Sequence, residues 1–195
     1  MAGRQRLWRL REPSDEAVSD FLRDARGEEL TWPWPGWTRS IGRAAAGYDH
    51  DVNERVLGRG ADVFLRAAEA LEQWEMFPRE WARIEPSGAP VADDGCVAMV
   101  AHAAGLWWMN AARIVFVDRT ARSRRFAYAT LRSHVECGEE CFSVTWGADD
   151  RVVYRIEAFS RPRHPWVRLA YPVTRRLQRR FVRESMERMA GRVAE

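Results

Sequence analysis

Residues 126–162 read FAYATLRSHVECGEECFSVTWGADDRVVYRIEAFSRP, and their pattern decides the fold. Two stretches, Glu140–Trp146 and Val152–Ser160, alternate apolar and polar side chains, which is the period of a strand with one face on a core. Between them Gly147-Ala148-Asp149-Asp150 supplies the residues that reverse a chain, so the pair reads as an antiparallel hairpin. Just upstream, Phe126–Leu131 sets Phe126, Tyr128 and Thr130 on the face opposite Ala127, Ala129 and Leu131. The intervening His134, Glu136, Glu139 and Glu140, with Gly138 among them, read as a polar hinge in a solvated bend. Downstream, a long Arg-studded helix is predicted from about Val167 to Met189. Pro165 precedes it, and Pro172 either bends it or marks its true start.

Working outward, Ser14 is placed to N-cap a helix that carries Asp15 and Glu16 in its first turn and ends near Gly27. LTWPWPGW, residues 30–37, can be neither helix nor central strand. It reads as an aromatic lid laid on the domain, with a binding platform as the alternative. Asp51–Leu57 is a predicted strand, Asp62–Met76 a predicted helix and Trp81–Ile84 a short strand. Gly95–Ala112 carries no charge over 18 residues, the length of a membrane span. Its Gly105, His102, Asn110 and many Ala argue instead for two buried strands, Cys96–His102 and Leu106–Val117, the second interrupted near Asn110.

The chain of 195 residues, 46% of them apolar, is long enough to bury a core. It divides into a basic arm and short helix (1–30), one α+β domain (31–190) and a tail (191–195). All 31 basic residues are Arg, and a net charge of +3 implies no nucleic-acid partner by itself. Cys96, Cys137 and Cys141 form no CxxC pair, and no apolar leader follows the N-terminal Arg residues, which favours a reduced, cytoplasmic setting.

No P-loop, GxSxG or HExxH occurs, and nothing in the sequence names a cofactor or a metal. His134 and Glu136 are spaced to point the same way, but no second His–carboxylate pair accompanies them. Acid–base chemistry would draw on His134 with Glu136 or Glu140, joined by Tyr128 and Arg161. On the last helix Arg168, Arg175, Arg179 and Arg183 share a face. That face reads as solvated, with an anionic membrane surface or RNA as the sharper alternative. Leu169, Val173, Leu177 and Phe181 form the stripe expected to face the sheet.

FAYATLRSHVECGEECF (126–142), AFSRP (158–162) and PVTRRLQRRF (172–181) together resemble the family known as domain of unknown function nineteen-ninety, as does GRGADVF (58–64) upstream. The resemblance departs at Ala129, Ser133, Val135 and Ser185, and it implies no reaction. The order of elements is similar to the helix-grip arrangement of START and polyketide-cyclase-like domains. A curved antiparallel sheet of about six or seven strands would then grip the C-terminal helix. That arrangement implies a small apolar or amphipathic ligand held among Trp108, Phe126, Tyr128, Phe142, Leu169, Val173, Leu177 and Phe181. Which strand parity faces inward, and the oligomeric state, stay open at this point.

Overall fold

The computed structural model describes residues 6–40, 45–164 and 168–194. Its strands are β1 (Trp8–Arg9), β2 (Asp49–Arg59), β3 (Ala82–Glu85), β4 (Cys96–Ala103), β5 (Leu106–Arg119), β6 (Ser123–Thr130), β7 (Glu136–Trp146) and β8 (Arg151–Pro162). Its helices are α1 (Asp15–Ala25), α2 (Ala61–Glu72) and α3 (Tyr171–Ala194). All strand pairs are antiparallel, in the order β2-β8-β7-β6-β5-β4-β3. β1 takes the stretch of β5 edge that β6 leaves open, pairing Trp8 with Trp108. The expected six or seven strands are thus seven in the main path, plus this two-residue addition.

The uncharged stretch 95–112 forms β4 and the start of β5, and no helix among the described residues is long and apolar enough to cross a membrane. Asn110 does not interrupt β5, since it pairs with Met99. The irregularity lies later, at a bulge between Ile114 and Phe116. The extra residue there turns Ile114 and Val117 to one face and Phe116 to the other. The hinge expected at 134–140 is also shorter than the sequence implies, because β7 already begins at Glu136. Gly138 permits this. A Cβ at that position would meet the Phe159 carbonyl oxygen at 1.9 Å, so the β8 backbone fills the space of a side chain.

The two sheet faces are covered differently. On the convex face α1, N-capped by Ser14 Oγ accepting from the Ala17 amide, buries Val18, Phe21, Leu22 and Ala25 against Ala98, Val100, Met109 and Ala111. The aromatic–proline loop lies on this same face, with Trp32 packed on Ala129 and Phe159. It covers the back of the sheet. Glu139 anchors it: the buried carboxylate accepts from the amides of Gly36 (2.6 Å) and Thr38 (2.8 Å) and from the Thr38 hydroxyl (2.7 Å).

On the concave face α2 and α3 share the work. Gly60, at φ +87°, turns β2 into α2. α2 then buries Phe64, Ala67, Ala68 and Leu71 over Phe142, Val144, Val152 and Tyr154. α3 opens at Tyr171 with Pro172 in its first turn, so that proline marks the helix start. The neighbouring 165–167, which carry Pro165 and the expected beginning of the helix, lie outside the described residues. The C-terminal half of α3 closes on α2 and the sheet through Ser185, Met186, Met189 and Val193. Ser185 is fully buried, its Oγ 2.9 Å from the Tyr154 hydroxyl, which leaves no room for an aromatic there.

Because Glu139 satisfies two amides and a hydroxyl away from water, Glu139→Ala is expected to cost about 2–4 kcal/mol. Urea unfolding would measure the loss, and a shift in tryptophan emission should show the loop leaving the sheet. A variant as stable as the parent would mean that the ring packing holds the loop unaided.

Candidate functional site

α2 fills only one end of the concave face. At the other end, beneath the first half of α3, lies a cavity of about 960 Å3, large enough for a drug-sized molecule. Inward parity supplies its walls: Met99 and Ala101 from β4, Trp108 and Asn110 from β5, Tyr128 and Thr130 from β6, and Ile156 and Ala158 from β8. Leu177, Phe181 and Val182 form the roof. The β4–β5 turn at Ala103–Leu106, Trp8 and the start of α3 form the rim, where Leu169 is 77% and Val173 50% exposed.

Of the eight residues nominated for a cavity, six line it: Trp108, Tyr128, Leu169, Val173, Leu177 and Phe181. Phe126 and Phe142 share the inward parity but lie in solid core, at 1% and 0% exposure, under Trp74, Phe77 and Phe181. The helix stripe also turns as it descends. Steps of four residues overshoot a 3.6-residue turn by about 40° each, which carries Val173 to the rim while Phe181 is inside, and Leu169 reaches the rim from the segment before the helix.

One end of the cavity is polar, and β7 builds it. Glu136 and Glu140 project inward on either side of side-chain-free Gly138, while Cys137, Glu139 and Cys141 project outward. Glu140 accepts from the Tyr128 hydroxyl at 2.5 Å, and Glu136 accepts from Gln178 Nε2 at 2.8 Å. Gln178 is oriented by Arg175, whose Nη1 donates to its Oε1 at 2.8 Å. Arg175 in turn holds Asp51 with both terminal nitrogens, at 2.5 and 2.7 Å. Among the described residues neither Glu136 nor Glu140 has a cationic partner within ion-pair reach.

Burial, more than any other influence, pushes both carboxyls up to about 7, against the opposing pull of Tyr128 on Glu140 and of Gln178 on Glu136. Burial likewise raises the Tyr128 phenol well above its ordinary range. His134 stands at the same end, its Nδ1 accepting from the Glu136 amide at 3.0 Å, so the ring carries its proton on Nε2. Burial lowers it to about 4, and it is neutral at physiological pH.

The other expected site residues are dispersed. Arg161 belongs to the opposite sheet face, its guanidinium 4.5 Å over the Tyr48 ring, and it cannot act on the Glu136–Glu140 end. Cys137 Sγ donates to the Thr31 carbonyl on that face, away from His134. The four arginines do not form one surface. Arg168 faces an outer groove with Arg132, Arg161 and Arg163, Arg175 is turned onto Asp51, and Arg179 and Arg183 line the cavity rim. Sequence reasoning passed over Gln178, Asp51 and Asn110. Of these, Gln178 had a readable signal, because it lies three residues from both Arg175 and Phe181 on one helix face.

Residues 33–188 match the family described as "Domain of unknown function (DUF1990)". The chain belongs to that family. It is 31% identical to a UPF0548 protein of Dictyostelium discoideum, over 92% of this chain and 93% of that one. It is 28% identical to a UPF0548 protein of Deinococcus radiodurans, over 91% and 94%. Among solved structures it is similar to a protein of Thermus thermophilus, with a TM-score of 0.54 and 16% identity over 75% of this chain and 97% of that one. It is also similar to the Zhui aromatase/cyclase of Streptomyces sp. R1128, with a TM-score of 0.50 and 14% identity over 75% and 94%. The fold is the helix-grip fold of START and polyketide-cyclase-like proteins.

A carboxyl whose folded value is raised binds a proton that the unfolded chain has lost. Stability on this account is therefore greatest below about 4.5 and falls as pH rises through about 7. His134 acts oppositely, adding stability as pH rises from about 4 to about 6.5. Glu140→Gln keeps an acceptor for Tyr128 and removes the buried charge. It should stabilise the ligand-free protein by about 1–2 kcal/mol near pH 8 and leave it unchanged near pH 4.5. Thermal melts at the two pH values check this, and an equal shift at both would remove the charge from the explanation.

Proposed function

We propose that this protein is a binding module for a small apolar or amphipathic molecule, held between the sheet and the first half of α3. One observation carries the reading. The wide, apolar concave face is packed solid by α2 at one end and left hollow at the other, although Trp, Leu and Phe side chains line the hollow. Apolar side chains that line a hollow reachable from solvent are surface that a small apolar molecule would remove from water. The fold shared with an aromatase/cyclase is consistent with a small-molecule pocket and does not fix its content.

A second reading has its own observation. Glu140, hydrogen-bonded to Tyr128 and titrating near neutrality beside an apolar space, has the properties of a general acid or base. On this reading Glu136 and neutral His134 would position the reacting group. Mass spectrometry under native conditions, on protein taken from the cells that make it, separates the two. A retained small molecule supports binding, and a product that accumulates with turnover supports catalysis.

Phe181→Ala tests the roof. The ring meets Phe77 at 5.1 Å on one side and the cavity on the other. Its loss should therefore cost less than about 3 kcal/mol, whereas Phe142→Ala in the solid core should cost about 3–5 kcal/mol. Only Phe181→Ala should change the uptake of an environment-sensitive apolar dye. A full core penalty with unaltered dye binding would mean that the helix roofs no ligand site.

A further inference from the structure

The sheet buries two carboxylates on its convex face and leaves two half-buried against the cavity, and it treats them unequally. On the convex side Glu139 is met by two amides and a hydroxyl, and Glu157 by His50 at 2.9 Å and Arg155 at 2.8 Å. Those two sites are complete. On the cavity side Glu140 has one phenol and Glu136 one amide as donor, each on a single oxygen. The second oxygen of each has no donor among the described residues. Both side chains lie beneath the protein surface with their accessible area turned into the cavity, beside Gly138 where no side chain intervenes. A buried carboxylate needs two or three donors, and a countercharge is the most effective partner.

We propose that this end of the cavity receives a protonated amine, carried on an apolar body, at the acidic wall that Glu136 and Glu140 form. The inference rests on the ligand-binding reading and names the chemistry of its polar end. Every element around the pair is compatible with it. From β6 comes the neutral Tyr128, from the segment before β7 the neutral His134, and from β8 the uncharged Tyr154. β2 offers Asp51 and Asp49, both of which disfavour the ionised form of Glu136. α3 offers Arg175, already engaged bidentately by Asp51, with Arg179 and Arg183 at the rim, and the segment before it places His164 in the lining. The polar end thus holds more acid than base, and a cation relieves the repulsion between Glu136 and Glu140. With both carboxyls near 7 in the empty cavity, binding the cation draws their protons off into solution. Amine affinity should then rise with pH through neutrality, while a neutral ligand of the same shape is indifferent to it.

Displacement of a cavity-bound apolar dye by decylammonium, 1-decanol and decanoate tests the proposal. Near pH 8 decylammonium should displace the dye at a concentration at least about tenfold below that of decanol, and decanoate should be the weakest of the three. Near pH 5.5, where both carboxyls hold protons, the amine preference should shrink below about threefold. Glu136→Gln/Glu140→Gln, its fold checked by a thermal melt, should abolish the preference of the amine over decanol. If decanol displaces the dye and the amine is no better, or the double variant keeps the preference, the cation site is wrong and the cavity reading survives. If none of the three probes displaces the dye, the cavity reading fails and takes this inference with it.

Discussion

The architecture depends on how much of one concave surface one helix can cover. α2 is 12 residues long and packs where β7 and β8 present Phe142, Val144, Val152 and Tyr154. At about 1.5 Å per residue it spans some 18 Å, less than the sheet beneath it. α3 is twice as long, with 24 residues, so its C-terminal half rests on α2 and its N-terminal half bridges open space. The Tyr154–Ser185 contact lies where packed helix gives way to roof. Lengthening α2, or placing an aromatic at 185, would disturb this division before it touched any cavity residue.

β7 is where fold and chemistry meet, because strand alternation gives one segment two jobs. Its outward set (Cys137, Glu139 and Cys141) ties down the aromatic loop and packs against Phe116 and Ala127, while its inward set furnishes the polar end of the cavity. A one-residue slip would exchange the two sets and leave Glu139 facing the cavity with its loop unheld. The bonds from Glu139 to the backbone of Gly36 and Thr38 therefore fix the register on which the position of Glu136 and Glu140 depends.

Much of this was legible in the sequence. The alternation of Glu140–Trp146 and Val152–Ser160 gave the hairpin, the 95–112 stretch resolved into two strands on its small and polar residues, and Ser14 marked the cap of α1. The start of β7 was not legible, because Glu136 and Glu140 break the apolar pattern at the inward parity. Such a break reads as a solvated bend when the alternative, a hollow, is unknown. The face chosen by the Trp loop was equally hidden, since proline and aromatic residues fit either side of a sheet. What places it there is Glu139, one of three glutamates within five residues. Phe126 and Phe142 share parity with the cavity residues, and what makes them core is the cover of Trp74 and Phe77, which follow α2, and of Phe181.

The exposed start of α3 has a consequence for how the interior communicates with solvent. Tyr171 and Val173 bury little, whereas Ser185 and Met189, further along the same helix, are sealed. Amide hydrogens in the first turns of α3 should therefore exchange faster than those around Ser185 and Met189. Fraying of those first turns uncovers the cavity while the α2 core stays intact. The interior can exchange its contents through local opening, on a timescale set by one helix end and not by unfolding of the domain.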